Sequence, residues 1–118
     1  MESVDATPLE SALLKVFHGL YRTQGFPLPE RVRVRARDNT GHGRYVDLDV
    51  DLVGSTLEDG YLDLAGRFIE MDGIPNGLMA VVRIKDGQPD QLEIAVYGDT
   101  PWDGQEHRWS ITDAPVAE

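Results

Sequence analysis

The sequence predicts an α+β domain, with one N-terminal helix packed on one face of an antiparallel meander sheet of about five or six strands. Three observations carry this expectation. Apolar residues recur with a helical period only near the N-terminus, from Leu9 to Leu20. Beyond Pro29 the apolar and polar residues alternate with the period of a strand. The connections between these segments are short and rich in Gly, Pro, Asp and Asn, whereas parallel strands would need long crossovers.

Residues 1–6 carry no pattern and are expected to be loosely held. Thr7-Pro8-Leu9-Glu10 then reads as a helix start. Thr7 can cap, Pro8 sits where its missing N–H costs nothing, and Glu10 completes a capping box. Leu9, Ala12, Leu13, Val16, Phe17 and Leu20 follow at spacings that share one helix face. Gly25 ends the helix, with Phe26 and Pro27 behind it, and Arg22 suits the negative end of the helix dipole.

The next two segments, Arg31–Arg37 and Tyr45–Leu52, form a hairpin around Asn39-Thr-Gly-His-Gly43. Alternation places Arg31, Arg33, Arg35 and Arg37 on one face, and Val32, Val34 and Ala36 on the other. Asp47, Asp49 and Asp51 share a face of the second strand, opposite Val46, Leu48, Val50 and Leu52. Antiparallel pairing in register sets Arg35 on Asp47, Arg33 on Asp49 and Arg31 on Asp51, each pair contributing about 0.2–1 kcal/mol. Further strands are expected at Tyr61–Met71, Leu78–Lys85, Leu92–Tyr97 and Glu106–Thr112, with a bulge at Gly66. The helix should cover Val32, Val34, Leu48, Val50, Val82, Ile84, Leu92, Ile94 and Val96. The opposite face, with Arg83, Lys85, Glu93 and Tyr97, is left open as a natural docking surface.

The length, 118 residues, suits one domain with its own core. Cysteine is absent, which excludes disulfides, thiolate metal sites and a cysteine nucleophile. The N-terminal helix is interrupted by Glu10, Lys15 and His18 and has no basic flank, so neither a signal peptide nor a membrane span is expected, and the cytoplasm is the expected compartment. Net charge is −10. Residues 31–53 hold five Arg against four Asp, whereas residues 55–118 hold thirteen Asp or Glu against four Lys or Arg. Such acidity repels nucleic acid and anionic membranes and steers a basic protein toward the chain.

No residue pattern supports catalysis, a metal or a cofactor. Asp47, Asp49 and Asp51 occupy positions 1, 3 and 5 of an EF-hand count, with Glu58 at 12, but Leu52 stands where that loop requires Gly. His18, His42 and His107 lack ligand spacing, so two would meet only if the fold brought His42 and His107 together. Ser3, Ser11, Ser55 and Ser110 have no nucleophile elbow, and Gly41-His-Gly43 is too short to cradle phosphate. Asp99 and Asp103 flank Trp102, an arrangement a glycoside site would use, although a turn with Trp102 tucked into the core edge is the ordinary alternative. The arginine row could address phosphate, but the aspartates opposite neutralise it. The remaining feature is a run of carboxylates with aromatics between them. Asp86, Asp90, Glu93, Tyr97, Asp99, Trp102, Asp103 and Glu106 form the candidate partner-binding set, with Trp102 as its anchor.

The stretches Phe68-Ile-Glu-Met-Asp-Gly-Ile-Pro75, Leu92-Glu-Ile-Ala-Val-Tyr97 and Asp99-Thr-Pro-Trp102 resemble the C-terminal meander of small bacterial domains, some of uncharacterised role and some immunity-like, over about a third of the chain. As a small acidic cysteine-free domain, the chain is similar to the immunity proteins of contact-dependent and polymorphic toxin systems. The resemblance implies a cytoplasmic inhibitor that binds and blocks a basic toxin or effector domain, for instance a nuclease, with carboxylates standing in for phosphates. It carries over no catalytic residue. The rivals are a small ligand-binding domain or enzyme with its site between helix and sheet, and a homo-oligomeric adaptor using the open face or an edge strand.

Overall fold

The computed structural model describes residues 5–50 and 57–112. Helix α1 spans Pro8–Tyr21 and begins as the sequence requires. The Thr7 hydroxyl accepts the Glu10 N–H at 3.2 Å, and the Glu10 carboxylate accepts the Thr7 N–H at 3.0 Å. A 3-10 turn at Arg22–Gln24 follows, and Gly25, at φ +96°, closes it by donating its N–H to the Arg22 carbonyl. The buried face is rotated from the expected stripe. It consists of Leu9, Glu10, Leu13, Leu14 and Phe17, while Ala12, Val16 and Leu20 sit at its margin. Glu10 is thus inside the molecule. Asp5 and Ala6 are also held, because the Asp5 carbonyl accepts from Arg37 and Ala6 packs on the core.

Strands β1, Val32–Asn39, and β2, Gly43–Val50, form the expected hairpin, but only half of it keeps the expected register. Val32 faces Val50, Arg33 faces Asp49 and Val34 faces Leu48; then the pairing slips, so that Ala36 faces Asp47 and Arg37 faces Val46. Arg35 is the extra residue of a bulge. A one-residue slip exchanges faces, and Arg37 therefore turns from the arginine row to the helix side. Arg33 reaches Asp49 at 3.6 Å, whereas Asp47 accepts from the Gln91 amide at 3.1 Å instead of opposing Arg35. The Arg31–Asp51 pair lies outside the described residues.

The expected third strand is two strands. β3, Gly60–Asp63, and β4, Phe68–Met71, pair with the same edge of the long β5, Ile74–Lys85. Residues 64–67 lie between them, and the pairing with β5 passes from Asp63 opposite Val81 to Ile69 opposite Leu78. This is a turn, wider than a bulge at Gly66. Ala65 and Gly66 both have positive φ, Arg67 N–H donates to the Leu64 carbonyl, and Asp63 Oδ1 accepts the Ala65 N–H at 2.9 Å. The excursion buries Leu64.

β6, Gln88–Val96, and β7, Trp109–Thr112, complete a seven-stranded antiparallel sheet of order β1-β2-β6-β5-β4-β7, with β3 beside β4 on the β5 edge. The order departs from a plain meander because β6 returns to pair with β2 and β7 pairs with β4. Gly43 permits the first of these contacts, since a Cβ there would lie 2.4 Å from the Ile94 carbonyl oxygen. Leu9, Leu13, Leu14 and Phe17 of α1 share one core with Val34, Val46, Ile69, Leu78, Val82, Leu92 and Ile94. No helix among the described residues is long and apolar enough to cross a membrane. Gly43→Ala should cost about 2–3 kcal/mol in urea denaturation by forcing β2 from β6.

Candidate functional site

The turns at one end of the sheet are organised by ion pairs inside the protein. Arg44 lies on the inner face of β2, only 3% exposed, and Glu10 is fully buried. Arg44 Nη1 donates to Glu10 Oε2 at 3.1 Å and to Glu106 Oε2 at 2.6 Å, Nη2 donates to the Gly104 carbonyl, and Nε donates to Asn39 Oδ1. Arg37 supplies Glu10 with two further donors at 2.6 Å each. Glu106 Oε1 accepts the Leu9 N–H at 3.0 Å, satisfying a donor at the helix start. The Arg44 guanidinium also lies over the Trp102 ring, 4.9 Å from its centre. Among the described residues, no buried side-chain nitrogen or oxygen lacks a partner.

Burial pushes the Glu10 carboxyl up, but the Arg37 hydrogen bonds, the Thr7 N–H and the charges of Arg37 and Arg44 outweigh it and hold the group below its ordinary value of 4.5. Ionised Glu10 therefore adds stability that is complete above that pH and is lost as pH falls through the lowered value.

This hub anchors residues 97–108, the loop that carries the chain from β6 to β7. Trp102 is 2% exposed, its ring N–H bonded to the Gln105 carbonyl at 2.8 Å and its backbone N–H to the Gly41 carbonyl at 2.7 Å. Between this loop, the β1–β2 turn and the β4–β5 turn lies a cleft of about 480 Å³, lined by Gly41, Asp72, Gly73, Ile74, Pro101, Trp102, Asp103 and His107. Arg108 borders an adjoining recess, with its Nε 4.0 Å from Asp72 Oδ2. His107 Nε2 stands 3.8 Å from Asp103 Oδ2. His42 lines a different recess, with Tyr45 and Glu93, so the two histidines do not share a site. Among the described residues, Leu9, Leu13, Leu14 and Phe17 of α1 pack with the sheet in one apolar cluster.

The second candidate surface is the sheet face away from α1. Pairing sets Ala36, Asp47, Gln91, Arg83 and Tyr61 in one row across it, and Asp38, Tyr45, Glu93, Val81 and Asp63 in the next. Within these rows four carboxylates stand against one arginine. Tyr45, Tyr61 and, at the end of β6, Tyr97 are 40%, 66% and 47% exposed.

The predicted partner-binding set does not form one patch. Asp86 and Asp90 lie at the β5–β6 turn, where Asp90 pairs with Arg83 and both acids share a polar recess with Arg35 and Lys85. Asp99, Trp102, Asp103 and Glu106 lie beyond the opposite end of β6, a nine-residue strand about 30 Å long. Trp102 is core, which corrects its reading as an exposed anchor. Glu106 is committed to Arg44 and Leu9, which removes it from the partner surface. Glu93 and Tyr97 remain available beside the open face. Tyr45, Tyr61 and Asp72 are additions that the sequence reading missed; the outward position of Tyr45 was implicit in its alternation with Val46, but Asp72 looked like turn chemistry alone. Among the described residues, no three His, Asp or Glu side chains are grouped to hold a metal. Comparison with protein-family models, curated proteins and solved structures gave no match to this chain.

Arg44→Ala should cost about 3–5 kcal/mol in chemical denaturation, because Glu10 would remain buried with fewer partners. Glu10→Gln should remove part of the loss of stability below pH 4.5, read from denaturation midpoints across an acid series.

Proposed function

We propose that this chain is a protein-binding domain that acts by occlusion, as a cytoplasmic immunity or inhibitor protein blocking a basic toxin or effector domain. The observation that carries this reading is the open sheet face, where Tyr45, Tyr61 and Tyr97 stand exposed among Asp38, Asp47, Asp63 and Glu93. Tyrosine offers large contact area at low entropic cost, and surrounding carboxylates speed encounter with a cationic partner. The net charge of −10 supports the same sign of partner. A nuclease domain fits, because surface carboxylates can occupy a cleft built for phosphates. No catalytic residue, cofactor or metal enters this mechanism.

The test is co-expression with the product of the adjacent reading frame, followed by measurement of protection and of the complex in solution. The expected result is a one-to-one complex whose association slows with salt. Tyr45→Ala with Tyr61→Ala should weaken it by about 30-fold or more, and Glu93→Lys should slow association. Full protection by the folded triple variant would overturn the assignment of the open face.

A further inference from the structure

Resting on that reading, we infer that the cleft between the β1–β2 turn, the β4–β5 turn and the 97–108 loop receives one arginine side chain of the basic partner. Its floor is apolar, formed by Ile74, Pro101 and Trp102, and suits the methylene stem of a long cationic side chain. Its rim carries two well-exposed carboxylates, Asp72 and Asp103, contributed by different turns. Asp103 Oδ1 is occupied by the Gln105 N–H at 2.8 Å, but Oδ2 lies 3.8 Å from His107, beyond hydrogen-bond reach. Oxygen acceptors are therefore open at the rim.

The chain itself shows which group this rim attracts. Arg108 brings its guanidinium to 4.0 Å from Asp72 while staying almost fully exposed. A contact so weakly held yields to a guest that also buries its stem against the floor. A planar guanidinium suits the site better than an ammonium, since it can lie against Pro101 and present several donors to the rim carboxylates. The floor is preorganised. Trp102 is fixed by its bonds to Gln105 and Gly41 and by Arg44 over its ring, so little order has to be imposed on binding. Gly41 and Gly73 line the cleft without side chains.

The experiment titrates the isotope-labelled full chain with blocked arginine (N-acetyl-arginine methylamide) and follows amide shifts by NMR. Saturable shifts are expected at Gly41, Gly73, His107 and the Trp102 ring N–H, with affinity on the order of tens of millimolar. Blocked lysine should bind at least about threefold more weakly, and blocked norleucine, which keeps the stem and lacks the charge, should leave these signals unmoved. Asp72→Asn with Asp103→Asn should weaken arginine binding about tenfold, Asp99→Asn should not change it, and Arg108→Ala should strengthen it. Equal shifts with norleucine, or arginine shifts unaffected by the double variant, would overturn the assignment. Because the probe is a single amino-acid derivative, the result is independent of the inhibitor reading. Arginine binding without protection would retire that reading and keep the cleft; protection with no arginine shifts would retire the cleft alone.

Discussion

Glu10 and Arg44 meet in the interior where four parts of the chain converge: the start of α1, the bulged end of β1, the first residues of β2 and the loop 97–108. Removing two charges from water costs several kcal/mol for each, and the attraction between them offsets this only when every remaining donor and acceptor is also matched. Here the matching is dense. Glu10 receives Thr7, two nitrogens of Arg37 and one of Arg44, while Arg44 is further engaged by Asn39, Gly104 and Glu106. These partners come from four segments of the chain, so the arrangement is satisfied only when all four are seated together. Apolar contacts tolerate small shifts more readily than such a network does.

The β1 bulge follows from this constraint. A regular hairpin would leave Arg37 on the open face with the other arginines, and Glu10 would lose two of its donors. The slip after Val34 turns Arg37 inward at the end of the strand nearest the helix start. The same network holds Glu106 against the Leu9 N–H, and this draws the 97–108 loop across the end of the sheet and seats Trp102. The wall of the cleft formed by the 97–108 loop is thus held by the buried charges. Its rim carboxylates stand outside the network and keep their solvent exposure.

Acidity in this molecule serves two different purposes. Glu10 and Glu106 are internal, and Asp90 neutralises Arg83; these charges hold the fold together. Glu93, Asp38, Asp72 and Asp103 are presented at surfaces, beside exposed tyrosines on the open face or around an apolar floor in the cleft. A total of −10 cannot separate these roles. Their separation depends on which carboxylates the fold buries or pairs closely and which it leaves exposed.

The local features were legible in the residues themselves. The capping box at Thr7 and Glu10, the glycine stop at Gly25, the Arg33–Asp49 pairing and the apolar face of Val34, Leu48, Val82, Leu92 and Ile94 all follow from spacing within a few residues or from strand alternation. These patterns also establish the α+β class with its antiparallel sheet. Tertiary structure alone decided the rest: the inward turn of Arg37, the burial of Trp102, the return of β6 to β2 and the passage of β7 to β4. Each depends on partners tens of residues apart in sequence, such as Glu10 with Arg44 and Leu9 with Glu106. A sequence pattern records which face a residue prefers, but an ion pair between distant segments leaves no periodicity, because its energy depends on proximity that only the folded chain creates.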